Sequence, residues 1–191
     1  MIKTICFLGY SKKKTRLINF FKKKKFKVKN IHNRYLNKKN ASEADLIVSF
    51  GYKKIISKKI LTLTKRPIIN LHISFLPYNR GAHPNFWSFF DNTPKGVSIH
   101  EINSKIDSGN LIFRKRIKFK KIKKQSFRST YKILIKEVEN LFFKNFQNIL
   151  KRNYLSKKIS FKGSFHKKKD LPKSLKNWNV NIFQFLKNYK K

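Results

Sequence analysis

Residues 46–72, LIVSFGYKKIISKKILTLTKRPIINLH, decide the reading of the fold. Leu46 to Phe50 is a short continuous run rich in β-branched and aromatic residues, ended by Gly51; this is the pattern of a strand buried on both faces. Ile55, Ile56 and Ile60 then indicate a short helix, and Pro67 breaks the pattern before Ile68 to His72, a second strand of the buried type. Upstream, Ile5 to Leu8 reads as a strand, Lys14 to Lys24 as a basic helix with Leu17, Ile18 and Phe21 on one face, and Phe26 to Ile31 as another strand. Strands alternating with helices predict an α/β fold with a mostly parallel central sheet flanked by helices.

Beyond His72 the pattern changes. Pro77 to Pro84 reads as a loop, Asn85 to Phe90 as a short aromatic helix, and Asn92 to Gly96 as a turn. Val97 to Ile102 and Leu111 to Phe119 are expected as two strands joined through Ile106-Asp107-Ser108-Gly109, an antiparallel hairpin or bulged pair. The longest helix should run from Ser126 to Arg152, with Leu134, Val138, Leu141, Phe142 and Ile149 as a core stripe. After Asn153 the composition is patchy until the apolar stretch Ile182 to Leu186. Residues 1–152 are therefore expected to form the main domain and 153–191 an extension packed on it.

The chain has 191 residues, with 48 Lys+Arg against eight Asp+Glu and a formal charge of +40. Such a surface would attract phosphates, whether of RNA, anionic membrane or a phosphorylated metabolite. The same excess also follows from AT-rich coding, which favours Lys, Asn, Ile and Phe together, and the lysines run along the whole chain. A hydrophobic fraction of 40% with 19 Phe supplies a core. The lone Cys6 closes no disulfide within the chain and excludes a Cys-x-x-Cys site, which fits cytoplasmic residence. The apolar stretch Ile5 to Tyr10 is too short for a signal-peptide core, and nothing approaches a membrane span. The six glycines are scattered, so neither a dinucleotide fingerprint nor a Walker-type loop is present.

Polar residues inside a strand of the buried type mark the place to look for chemistry. Asn70 and His72, two apart, project from one face of their strand where it leads into a loop. Asp107, one of eight acids, lies in a turn downstream. The sets Asn70-Leu71-His72-Ile73-Ser74-Phe75-Leu76-Pro77, Arg80-Gly81, Gly96-Val97-Ser98-Ile99-His100 and Ile106-Asp107-Ser108-Gly109, in this order, resemble the folate-dependent formyltransferases. That family includes glycinamide ribonucleotide transformylase, methionyl-tRNA formyltransferase and sugar N-formyltransferases. The likeness covers roughly residues 45–113, with Ile73 where many members carry Pro.

The resemblance implies a Rossmann-like formyltransferase fold and transfer of the formyl group of 10-formyltetrahydrofolate to a primary amine. Asn70 and His72 would donate to the carbonyl oxygen as it gains charge. Asp107 would hold His72 in the right tautomer, favour its charged form and relay the amine's proton. Tyr52, Lys53, Lys54, Ile55 and Ile56, with Ile102, Asn103, Ser104, Lys105 and Ile106, would line the folate site. Ser74, Phe75, Leu76, Pro77, Arg80 and Gly81 would face the amine substrate, with Arg80 a candidate for phosphate or carboxylate. No metal is required, and the spacings of His72, His83, His100 and Asp107 match no familiar ligand pattern. His83, His100 and His32 are expected outside the core site, and Phe86, Trp87, Phe89 and Phe90 are expected in the core.

Substrate choice divides the family. The stretch Gly9-Tyr10-Ser11-Lys12-Lys13-Lys14 is a poor match to the phosphate loop of glycinamide ribonucleotide transformylase, and the residues after Phe113 are too few for the additional domain of methionyl-tRNA formyltransferase. The loop Pro77 to Asn85 most resembles the formyltransferases acting on amino sugars, often nucleotide-linked, which is the expected substrate class; tRNA is disfavoured and no membrane partner is expected. The rival expectation is a non-catalytic RNA-binding protein on the same scaffold, motivated by Lys22 to Lys25 and Arg114 to Lys124.

Overall fold

Every residue of the run Leu46–Phe50 is buried, as a strand covered on both faces requires. The computed structural model describes residues 2–159 and 162–189. In chain order its elements are β1 (Thr4–Gly9), α1 (Leu17–Lys23), β2 (Lys27–Ile31), α2 (Lys38–Glu43), β3 (Leu46–Phe50), α3 (Lys58–Leu61), β4 (Ile69–His72), β5 (Arg80–Gly81), α4 (Pro84–Phe90), β6 (Gly96–Glu101), β7 (Leu111–Arg116), α5 (Phe127–Lys151), β8 (Phe165–His166) and α6 (Ile182–Tyr189). None of the described helices is long and apolar enough to cross a membrane.

Six strands form one sheet in the order β2-β1-β3-β4-β6-β7. β2, β1, β3 and β4 pair in parallel, β6 runs antiparallel to β4, and β7 antiparallel to β6. Only β6 is reversed, so the expected mostly parallel α/β sheet is the one that forms.

Alternation along the strands sorts the core into two layers. Ile5, Phe7, Val48, Ile69 and Leu71 pack with Leu17, Ile18 and Phe21 of α1 and with Leu134, Val138, Phe142, Phe146 and Ile149 of α5. Cys6, Leu8, Ile47 and Ile68 face the other way, against Ile31, Leu36, Ala41 and Ile56. Burial of each large side chain here contributes about 1.5–3 kcal/mol. The first face carries the 25-residue α5, started by a Ser126–Ser129 capping box. The second carries only the six-residue α2 and the four-residue α3. Asn70 and His72 alternate with Ile69 and Leu71 and so fall on this thinly covered face.

A third cluster joins Phe86, Trp87 and Phe89 of α4 to Phe127, Ile182 and Phe185, with Phe90 and Trp178 packed against it. The aromatic segment is core, as its spacing predicts. The scarce acids also fasten the layers: buried Glu139 of α5 accepts from Thr15 Oγ1 (2.7 Å), from the Arg16 amide (3.0 Å) and from Arg16 Nε (2.6 Å).

The structure departs from the sequence reading in four places. The helix expected over 55–60 forms only at Lys58–Leu61, leaving Ile55 in a loop and 74% exposed. The strand expected to reach Phe119 stops at Arg116. Helix α2, polar but for Ala41 and capped by the Asn37 side chain, has no apolar period to announce it. The two-residue strands β5 and β8 pair in parallel across a long sequence separation and were not expected.

Candidate active site

The site assembles on β4 and on the turn that follows β6. Antiparallel pairing sets Asn70 opposite His100 and His72 opposite Ser98. The turn after β6 folds back tightly: a Cβ on Gly109 would lie 1.8 Å from the Glu101 carbonyl oxygen, so only glycine fits. Asn103 pins the turn, its Oδ1 accepting from the Lys105 amide (2.9 Å) and its Nδ2 donating to the Ser108 carbonyl (3.0 Å). Asp107 sits at φ 47°, a left-handed conformation that Asp adopts more readily than most side chains.

These elements bring Asn70, His72 and Asp107 together. Asp107 Oδ2 accepts from the Gly81 amide at 2.9 Å and lies 3.7 Å from His72 Nδ1. Asn70 Nδ2 donates to Asp107 Oδ1 at 3.4 Å and to His100 Nε2 at 2.9 Å. His100 Nδ1 donates to the Glu101 carbonyl at 2.7 Å, and its Nε2 also lies 3.5 Å from Asp107 Oδ1. His72 Nε2 donates to the Asn79 carbonyl at 3.2 Å. The side chains of His72 and Asp107 are only 9% and 13% exposed, so water screens these contacts little.

Burial works against ionisation of the Asp107 carboxyl, but the adjacent His72 and His100 rings and the Gly81 amide outweigh it and hold the group well below the usual carboxylate range. Burial also lowers the pKa of His72, more than the Asp107 charge and the Asn79 carbonyl raise it. The Asp107 charge does favour a protonated His72, as expected, but desolvation outweighs it. Such a pair is suited to taking up one proton between its two members.

Of the residues expected to hold folate, Ile56 is buried in the second core layer, where Tyr52 and Ile102 pack against it. Tyr52 accepts from the Leu36 amide (2.9 Å) and donates to the Arg34 carbonyl (3.0 Å). Lys53, Lys54, Asn103, Ser104 and Lys105 are exposed, as are Ile55 and Ile106, so the loops 52–56 and 102–106 offer apolar tips ringed by lysines. A cleft of about 470 Å³ touches Ile102 and Asn103 but none of Asn70, His72 and Asp107; the chemistry, not the cavity, locates the site.

Of the residues expected to face the amine, Ser74, Leu76 and Pro77 are buried and hold the loop. Phe75 lies under the Arg114 guanidinium at 4.5 Å. Gly81 binds Asp107 through its amide, and Arg80 is half-buried with its Nε unpartnered. His83 stacks on Trp178 and lies outside the trio, as expected. His100, 1% exposed, belongs to the site after all; the signal was available, since an antiparallel strand after β4 sets residue 100 across from Asn70. Asn79, whose carbonyl takes the His72 bond, carried no such signal.

The formyl transferase family model matches residues 3–143, which span β4, the loop after it and the Asp107 turn. The bifunctional polymyxin resistance protein ArnA of Wigglesworthia glossinidia brevipalpis is 33% identical over 170 residues, 85% of this chain and 25% of that protein. The dTDP-4-amino-4,6-dideoxyglucose formyltransferase of Mycobacterium tuberculosis H37Rv is 30% identical over 126 residues, 66% of this chain and 52% of that protein. The chain thus spans a quarter to about half the length of these curated relatives. Among solved structures, the formyltransferase PseJ from Anoxybacillus kamchatkensis, crystallised with UDP-4,6-dideoxy-4-formamido-L-AltNAc and tetrahydrofolate, superposes with a TM-score of 0.86 at 34% identity, covering 95% of this chain and 96% of PseJ. Sequence and fold agree over the stretch that carries Asn70, His72 and Asp107, and the chain belongs to the formyl transferase family.

Proposed function

We propose that this chain transfers the formyl group of 10-formyltetrahydrofolate to the primary amine of a nucleotide-linked amino sugar. The observation that carries the reading is the convergence of Asn70 and His72 on Asp107, at 3.4 and 3.7 Å, in a chain that matches PseJ over nearly its whole length. The donor fits the residues present: the isoleucine tips of loops 52–56 and 102–106 suit a flat ring system, and Lys53, Lys54 and Lys105 suit glutamate carboxylates. Arg80, with its free Nε, suits a phosphate of the acceptor.

In the reaction a C–N bond forms between the acceptor amine and the formyl carbon, and the bond from that carbon to the folate nitrogen breaks. Asn70 is suited to stabilise the oxygen that becomes negative in between: its 3.4 Å contact to Asp107 is the weaker of its two, and that N–H can turn to the oxyanion. The His72–Asp107 pair takes the proton the amine sheds and returns it to the departing nitrogen. Residues 153–191 work as part of the same unit, and cytoplasmic residence is part of this reading, the lone Cys6 being buried and free.

Purified chain incubated with 10-formyltetrahydrofolate and a panel of UDP- and dTDP-linked 4-amino sugars, glycinamide ribonucleotide and methionyl-tRNA is expected to release tetrahydrofolate with an amino-sugar acceptor. Release with methionyl-tRNA alone would move the substrate to RNA. Negligible release from wild type and His72→Ala alike across the panel, with RNA binding that weakens steeply with salt, would favour the RNA-binding alternative.

A further inference from the structure

Resting on that reading, we propose that Asn79 and Ser164 are positioning residues for the His72–Asp107 pair, with Ser164 supplied by the stretch 163–166 downstream of the family match. Asn79 is fully buried and left-handed, at φ 57°. Its carbonyl takes the hydrogen bond from His72 Nε2. Its amide donates to Ser164 Oγ at 2.8 Å, its Oδ1 accepts from the same hydroxyl at 3.1 Å, and its Nδ2 donates to Thr93 Oγ1 at 2.7 Å. A single hydroxyl thus serves as acceptor and donor to the same residue, a combination that Ser and Thr can supply and Ala cannot.

Two residues further on, Gly81 gives its amide to Asp107. Between these two contacts the loop is paired as β5 to β8: the Arg80 amide donates to the Ser164 carbonyl (3.0 Å) and the Ala82 amide to the His166 carbonyl (2.9 Å). Gly163 lets the strands close, since a Cβ there would lie 1.9 Å from the Pro77 carbonyl oxygen. His166 anchors the far end, stacked on Trp87 with ring centroids 4.0 Å apart and 2.8 Å from Asp91. One short run of backbone therefore presents a carbonyl to His72 and an amide to Asp107, and the downstream segment sets where that run lies. Neither Asn79 nor Ser164 needs to touch substrate; a small displacement of the pair they orient is enough to slow transfer.

The test is Ser164→Ala in the full chain. We expect kcat for formyl transfer to fall about tenfold with KM for 10-formyltetrahydrofolate unchanged, and the melting midpoint to drop by a few degrees because the buried Asn79 amide and Oδ1 lose a partner. Ser164→Thr should restore most of the rate, and in chain labelled with 15N-histidine the His72 ring signals should move in Ser164→Ala. A folded Ser164→Ala with kcat within twofold of wild type and unmoved His72 signals would overturn the proposal. So would a fall in melting midpoint with kcat and KM impaired alike in both Ser164 variants, which marks a merely structural residue. If wild type transfers no formyl group to any acceptor, the proposed function fails, and the ring signals alone decide the positioning. Should Ser164→Ala not fold, Thr93→Val, which removes the other side-chain partner of Asn79, is read by the same measurements.

Discussion

The two loop systems that flank Asn70, His72 and Asp107 are held in opposite ways. Residues 74–81 are stitched down: Ser74 Oγ donates to the Tyr78 carbonyl (2.7 Å), Ser98 Oγ donates to the Ser74 carbonyl (2.8 Å) and accepts from the Leu76 amide (3.0 Å), and Arg114 donates to the Leu76 carbonyl (3.0 Å). Residues 52–56 are tied at their ends through Tyr52 and Ile56, while Lys53, Lys54 and Ile55 stand in water. A loop whose polar groups are satisfied internally moves only by breaking those bonds; a loop holding an isoleucine in water gains by closing on an apolar partner. On the proposed reading, the difference teaches that the loop assigned to the acceptor is preorganised, and so selective, whereas the loop assigned to the donor is free to adjust to what it binds.

The largest effect should come from removing the charge that the rigid side holds. Asp107→Asn is expected to slow formyl transfer by about 10²–10⁴-fold with the fold intact by circular dichroism; a loss below tenfold would detach the stitched loop from catalysis. Next, Leu76→Ala, at a fully buried position, should lower stability by about 2–5 kcal/mol in urea unfolding. Ile55→Ala on the open side should change it by less than about 0.5 kcal/mol, and equal effects at the two sites would erase the contrast.

Acid titration of stability separates the members of the pair. His72 has a folded-state pKa below its ordinary 6.5, so the unfolded chain binds more protons and stability falls as pH drops from 6.5. Asp107 is likewise depressed below its ordinary 3.8, so its contribution is complete above that value and is lost on further acidification through its folded pKa. His72→Gln should remove the upper step of the unfolding free energy against pH and shrink the lower, because the His72 ring is the leading influence that holds the Asp107 carboxyl low. The smallest effect belongs to the donor side, where Ile55→Ser should raise KM for 10-formyltetrahydrofolate a few-fold at unchanged kcat, read from initial rates.

Much of this arrangement was legible before any coordinates. Buried parallel strands leave continuous apolar runs, and Leu46–Phe50 forms where its residues indicate. Strand alternation placed Asn70 and His72 on one face, and the turn chemistry around Asp107 placed a carboxylate where few exist. What stayed hidden depends on backbone pairing at a distance. His100 joins the site only through the antiparallel register of β4 with β6, and β5 meets β8 through main-chain bonds that leave no side-chain pattern beyond the crowded Gly81 and Gly163. Helix α2 escaped for a different reason, being held by a cap and a neighbouring strand rather than by an apolar stripe of its own.

The pairing of β5 with β8 has a consequence for how such chains can diverge. The family match ends at residue 143, upstream of Gly163 to His166. On the proposed reading, substitutions in that stretch, which carries none of Asn70, His72 and Asp107, would retune the loop 74–81 while those three stay as they are. A chimaera that exchanges only the residues after 152 between two such enzymes would carry the reaction of one with the alignment of the other.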